Sequence, residues 1–157
     1  MKIGHGYDVH RFGSNKSLML GCTEIPHKCG LIAHSDGDVV CHALCDAMLG
    51  AAGLRDIGYH FPDNDDEFKD VSGAYLLGKV SAMIKEQGFV LCCADITVVA
   101  EKPRLSPYID AMRANLAQAL GTQVSVVNVK ATTEEGLGIA GKGVACHAVC
   151  LLEKEQK

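Results

Sequence analysis

No apolar run in the sequence approaches the ~18 to 20 uninterrupted residues that a bilayer span requires, because Gly, Asp, His or Lys breaks every hydrophobic stretch. A membrane protein is excluded on that pattern. The opening Met1-Lys2-Ile3-Gly4-His5-Gly6 lacks the basic segment followed by an apolar one that marks a secretory signal. The expected compartment is the cytoplasm, or a plastid-type organelle after removal of a transit peptide. A surplus of positive charge is also missing. The net charge of −4 provides no basic stripe to neutralise a phosphate backbone, so nucleic acid is not an expected partner. Any phosphate-bearing ligand must be met by a few placed groups. There is no Cys-x-x-Cys pair, internal repeat, low-complexity tract or linker.

What is present fits one domain over residues 1–157, long enough to bury a core without disulfide or metal props. Eight cysteines in such a chain, with no export signal, read as reduced thiols. Cys41/Cys45 and Cys146/Cys150 lie in apolar segments and are expected to act as small buried hydrophobes.

Residues 2–11 read as a strand, and 18–20 with 23–25 as short strands around a turn at Gly21 and Cys22. Over 36–52 the period changes: Val39, Val40, Ala43, Leu44, Ala47, Met48 and Ala51 recur at helical spacing, with Ser35 or Asp36 as N-cap and Gly53 as the stop. Residues 54–70, rich in Asp and Gly, read as a long loop. A helix over 72–87, a strand over 89–100, a helix over 108–120 ended by Gly121, and strands over 124–131 and 144–152 complete the pattern. The fold class expected is α/β of the α+β type: a single domain whose four-stranded main sheet carries helices packed on one face.

Asp8 and His10 stand two apart on the first strand, so both side chains share one face and can converge on an ion. Catalytic zinc takes three protein ligands of the His/Asp/Glu type and keeps an open position. The first long helix offers His42, flanked at four-residue spacing by Asp38 and Asp46. Spacing alone leaves the third ligand open, since His5, His34 and His60 also lie near polar clusters, and His42 could instead be satisfied by Asp38 or Asp46.

Two other segments invite readings that their context rejects. Asp63-Asn64-Asp65-Asp66 suggests a calcium loop, but Phe68 stands where the turn glycine belongs and Ala74 where the bidentate Glu belongs. A mobile acidic loop that closes on a substrate fits better, with a plain solvated loop as the equal alternative. Gly136-Leu137-Gly138-Ile139-Ala140-Gly141-Lys142-Gly143 contains G-x-G-x-x-G and nearly all of a P-loop. Both motifs need a following helix, whereas Val144 to Cys150 alternates like a strand.

Six blocks in one order, Gly4-His5-Gly6-Tyr7-Asp8-Val9-His10, Ala33-His34-Ser35-Asp36-Gly37-Asp38, His42-Ala43-Leu44, Asp56-Ile57-Gly58, Phe61-Pro62-Asp63-Asn64-Asp65 and Val129-Lys130-Ala131-Thr132-Thr133, cover nearly the whole chain. Together they closely resemble the 2-C-methyl-D-erythritol 2,4-cyclodiphosphate synthase family of the non-mevalonate isoprenoid pathway. The resemblance implies that Asp8, His10 and His42 bind zinc, one ion per subunit. It implies that Asp8, His10, His34, Ser35, Asp56, Ile57, Gly58, Phe61, Pro62, Asp63, Asn64 and Asp65 hold the methylerythritol phosphate portion. Ala100, Glu101, Lys102, Pro103, Arg104, Leu105 and Ser106, with Thr132, Thr133 and Glu134, are implied to grip the cytidine and its phosphates. Glu135 is implied to hold a second divalent ion, magnesium or manganese, on the diphosphate. A homotrimer with sites between subunits is implied as well. Ile139 and Lys142, also implied to contact substrate, stand where relatives often carry an aromatic and an arginine, and a point-charge Lys does not reproduce a bidentate Arg.

The implied substrate is 4-diphosphocytidyl-2-C-methyl-D-erythritol 2-phosphate, whose 2-phosphate attacks the β-phosphorus and expels CMP. A phosphate nucleophile is already ionised, so no strong general base is required. His34 and Thr133 are the groups expected to contact the transferring phosphoryl group. A zinc phosphohydrolase or a non-catalytic metal or nucleotide module are the rival readings of the same residues.

Overall fold

Along strand β1 (Lys2–Ser14) every second side chain turns inward. Gly4 and Gly6 are buried, Asp8 and His10 are half-buried on the same face, and Ile3, His5, Tyr7 and Val9 are exposed on the other. This computed structural model describes residues 1–139 and 141–155, so Ala140 of the glycine loop and the last two residues lie outside the described residues. After β1 come β2 (Leu18–Leu20), β3 (Thr23–Ile25) and β4 (Gly30–Leu31), then helices α1 (Val39–Ala52), α2 (Ile57–His60) and α3 (Gly73–Glu86). Strand β5 (Phe89–Val99), helix α4 (Ile109–Leu120) and strands β6 (Val127–Thr132) and β7 (Gly143–Lys154) follow.

The main sheet has five strands in the order β4-β1-β7-β5-β6, not the four expected, and β2 with β3 forms a separate hairpin. The additional strand is β4, a two-residue edge piece paired through Phe12↔Leu31 and Ser14↔Gly30. Two residues are too few for alternation to register in a sequence. All pairings in the main sheet are antiparallel except β5 with β6, where α4 supplies the crossover a parallel pair requires. Among the described residues no helix is long and apolar enough to cross a membrane.

Helix α1 is buried on nearly every side. It lies close to the sheet because Gly4 and Gly6 leave a slot for its backbone: a Cβ on Gly4 would stand 1.8 Å from the Ala47 carbonyl oxygen, and one on Gly6 1.9 Å from that of Ala43. The N-cap of α1 is Asp38, rather than Ser35 or Asp36. Its carboxylate accepts from the backbone N–H groups of Val40 and Cys41 and also from those of Gly21 and Cys22, which ties the β2–β3 turn to the helix start. Asp36 instead accepts from Gly73 N–H at 2.8 Å and so anchors the beginning of α3. Gly53, at φ 79°, closes α1 in the left-handed conformation.

All eight cysteines are free thiols. Cys41, Cys45, Cys146 and Cys150 are buried as small core residues, while Cys22 and Cys29 are half-buried and Cys92 and Cys93 exposed. Cys22, Asp38 and Cys41 lie close enough together to suggest a metal group. Their chemistry argues otherwise. Asp38 is already committed to four backbone donors, the Cys41 thiol donates to it at 3.2 Å, and burial pushes the Cys41 pKa well up.

Candidate metal centre and its flanking clefts

The slot in β1 brings α1 near enough for His42 to reach Asp8 and His10 on the strand. Asp8 Oδ2 lies 2.9 Å from His42 Nδ1 and 3.1 Å from His10 Nε2. One ligand atom from each residue falls within 4.8 Å of the others, and the imidazole rings meet edge to face with centroids 5.6 Å apart. Two imidazole nitrogens and one carboxylate oxygen converging at a solvent-accessible cleft are the donor set of a three-ligand catalytic zinc centre, and the residues present fit such an ion. The histidines that spacing left in competition are engaged elsewhere. His5 Nε2 meets His147 Nδ1 at 3.2 Å, His34 Nε2 contacts the Asp65 carbonyl oxygen at 3.3 Å, and His60 Nε2 donates to the Leu54 carbonyl at 2.7 Å.

Burial alone would raise the Asp8 pKa, but hydrogen bonds from His10 and His42, with their charge, outweigh it and hold the carboxyl far below the usual carboxylate range. Burial alone would lower the His42 pKa. The Asp8 hydrogen bond and charge, with Asp38 and Asp36 behind, hold it above the ordinary histidine value. In metal-free protein Asp8 therefore stabilises the fold above about pH 3.9 and loses that contribution as the pH falls towards its depressed pKa. His42 stabilises it below about pH 6.5 and loses that contribution as the pH rises through its folded pKa. The stability lost on Asp8→Asn in chelator-treated protein is expected to be largest between about pH 4 and 6.5 and to shrink on either side. Denaturant titrations of both proteins across that range measure it, and a difference independent of pH would refute the assignment.

Asp8, His10 and His42 open onto a cleft of about 410 Å³ whose wall includes His34, Ser35, Ile57, Gly58, Phe61 and Asp63. Asp56, Pro62, Asn64 and Asp65, expected beside them, do not line it. Asp56 and Asp65 use their carboxylates as N-caps, of α2 and of the short 3-10 turn Asp66–Phe68. The loop expected over 54–70 thus contains two small helical turns. Its N-terminal part is tethered by Asp46, which accepts from Ile57 N–H at 2.7 Å from one turn beyond His42. Its far end is held by Lys16, whose ammonium donates to the Ser35 carbonyl at 2.8 Å and pairs with Asp70 at 2.5 Å. Asp46 was visible in the helix stripe, but Lys16 had no signal because its partners are 19 and 54 residues away.

A second cleft, of about 420 Å³, is lined by Ala100, Glu101, Pro103 to Ser106, Ala131, Thr132 and Thr133. Lys102 turns to a separate hollow with Gly136 and Gly141. Glu101 accepts from the N–H groups of Glu134 and Gly136, and Glu134 accepts from that of Ile139, so both carboxylates shape the glycine loop. Glu135 accepts from Thr133 Oγ1 at 2.7 Å and is in no three-ligand group among the described residues. Ile139 is half-buried, Lys142 is exposed, and neither lines either cleft. Strand β7, not a helix, follows the glycine loop.

Fold and site together define a mixed α/β protein whose Asp8, His10 and His42 could hold a metal ion, with a second cleft that shares no lining residue with the first. The family model of the YgbB family matches residues 1–153, and the chain belongs to that family. It is 56% identical to the 2-C-methyl-D-erythritol 2,4-cyclodiphosphate synthase of Nitrosococcus oceani over 99% of this chain and 100% of that protein. It is 54% identical to the synthase of the same name from Pseudomonas aeruginosa over 97% and 98%. Among solved structures it resembles the bifunctional IspDF from Campylobacter jejuni, with TM-score 0.93 at 44% identity over 98% of this chain and 42% of that longer one. It also resembles the CDP complex of IspF from Plasmodium falciparum, with TM-score 0.85 at 32% identity over 99% and 97%.

Proposed function

We propose that this protein converts 4-diphosphocytidyl-2-C-methyl-D-erythritol 2-phosphate to 2-C-methyl-D-erythritol 2,4-cyclodiphosphate and CMP, in the cytoplasm. The observation that carries the reading is the convergence of Asp8, His10 and His42 at the cleft mouth in a chain with full-length similarity to synthases of that name. Asp8, His10 and His42 hold zinc, one ion per subunit, which when bound supplies Lewis-acid polarisation of a phosphoryl oxygen. Glu135 serves a second divalent ion, magnesium or manganese, that arrives with the diphosphate.

The remaining work falls to binding and alignment. The cleft with Ser35, Ile57, Gly58 and Phe61 takes the methylerythritol phosphate end, and the cleft from Ala100 to Ser106 takes the cytidine. His34 and Thr133 contact the transferring phosphoryl group from the two sides, while the 2-phosphate, already ionised, attacks without a general base. The two clefts share no lining residue. That separation supports a homotrimer in which one subunit's metal cleft meets its neighbour's nucleotide cleft. Exposed Ile3, Tyr7, Val9 and Val149 on the open sheet face support assembly through that face.

Turnover in oxygen-18 water tests the reading against a zinc phosphohydrolase. Ring closure is expected to release CMP and leave the cyclic product unlabelled. Label in a product phosphate would mean that water is the nucleophile, and CMP binding without release would leave a non-catalytic module.

A further inference from the structure

His42 touches the metal centre with one ring nitrogen and a serine with the other. Its Nδ1 faces Asp8 Oδ2 at 2.9 Å, while its Nε2 lies 3.1 Å from Ser35 Oγ in a buried contact. The Ser35 hydroxyl also accepts from Gly37 N–H at 3.2 Å. This fixes the oxygen on a tight turn directly before α1. Ser35 is 8% exposed and His42 9%, so neither group has a ready alternative partner in water.

We propose that Ser35 is the positioning residue of the metal centre, setting the tautomer of His42 so that Nδ1 is the free ligand atom. This inference rests on the metal reading above. If Nδ1 is to offer a lone pair beside Asp8, the ring proton belongs on Nε2, where it donates to Ser35 Oγ. With two donors, from His42 and Gly37, aimed at its oxygen, Ser35 keeps its own hydroxyl proton for the cleft it lines, where it can donate to an anionic ligand oxygen. The serine thus faces the metal ligand with its lone pairs and the substrate cleft with its proton. Lys16 steadies the arrangement by donating to the Ser35 carbonyl at 2.8 Å while pairing with Asp70, whose N–H donates to the His34 carbonyl.

Outer partners of metal-bound histidines typically contribute about 10- to 100-fold in metal affinity. Ser35→Ala is therefore expected to weaken zinc binding by about 10- to 100-fold in chelator competition, with Ser35→Thr, which keeps the hydroxyl, recovering most of it. Nitrogen-15 imidazole spectra of the zinc-loaded natural sequence give a readout independent of any variant's folding. They are expected to show His42 bound through Nδ1 and protonated on Nε2. Zinc held by Ser35→Ala within about twofold of the natural sequence, a small fraction of the expected loss, or His42 bound through Nε2, would overturn the proposal and leave the metal centre standing. Absence of stoichiometric zinc from the natural sequence would instead remove the reading on which it rests.

Discussion

Replacing His42 by alanine is expected to strip the protein of most of its zinc and to lower CMP release by more than about a hundredfold, beyond the range typical of outer partners. The fold should remain. His42, though buried, lines the cleft, and the apolar core residues of α1, among them Leu44, Met48 and Leu49, are untouched. The substitution leaves Asp8 and His10, a two-ligand remnant that cannot complete the three-ligand set of a catalytic centre. Metal analysis of the purified variant, with its circular dichroism as a check on folding, decides the matter. Stoichiometric zinc in a folded His42→Ala protein would require another histidine to take the position. Of those near the cleft, His34 and His60 would first have to give up their contacts with the Asp65 and Leu54 carbonyls.

A single methyl group at Gly6 is expected to be as damaging to the fold as the loss of His42 is to the chemistry. The added Cβ would meet the Ala43 carbonyl oxygen at 1.9 Å and the Ala47 amide nitrogen at 2.8 Å, both backbone atoms of a helix that cannot rotate away. Either α1 lifts from the sheet or β1 bends. Overpacking of this kind costs about 3 kcal/mol or more, which at this domain size corresponds to a melting temperature lower by roughly 6 to 12 °C. Since α1 carries His42 and β1 carries Asp8 and His10, the same displacement separates the three residues of the candidate metal centre. Gly50→Ala provides the contrast, because a Cβ there meets nothing within 4 Å and the position is helical. It is expected to stabilise by about 0.5 to 1 kcal/mol. Thermal melts of the two variants beside the natural sequence test the pair. Equal melting temperatures for Gly6→Ala and the natural chain would mean that α1 does not sit in the glycine slot.

Much of this was legible in the residues because periodicity encodes facing. The alternation in β1 put Asp8 and His10 on one side, and the helical spacing around His42 defined α1, since both patterns are local. That His42 joins Asp8 and His10 was not legible from spacing. It depends on Gly4 and Gly6, whose meaning appears only once a helix lies across them. The cap of α1 falls two or three residues beyond the expected Ser35 or Asp36 for a related reason. Ser35, Asp36 and Asp38 are all chemically suited to an N-cap, and their division among His42, Gly73 and the helix start is decided by partners distant in sequence. Strand β4 and helix α2 leave no mark in the sequence because two and four residues carry no period. The backbone N–H groups that the carboxylates of Asp56, Glu101 and Glu134 accept from were likewise not legible, because local pattern does not reveal those partners.

Strand β7 lies between β1 and β5 in the middle of the sheet although it is the last strand in the chain. During synthesis β1 is made before β7, and Asp8 and His10 stay without their paired residues Cys146 and Val144 until Gly143 to Lys154 has left the ribosome. Helix α1 has almost no surface suited to water and must be sheltered over the same interval. The main sheet therefore cannot close before β7 is available, and a nascent protein stalled before β7 would be a substrate for chaperones rather than a partly active enzyme.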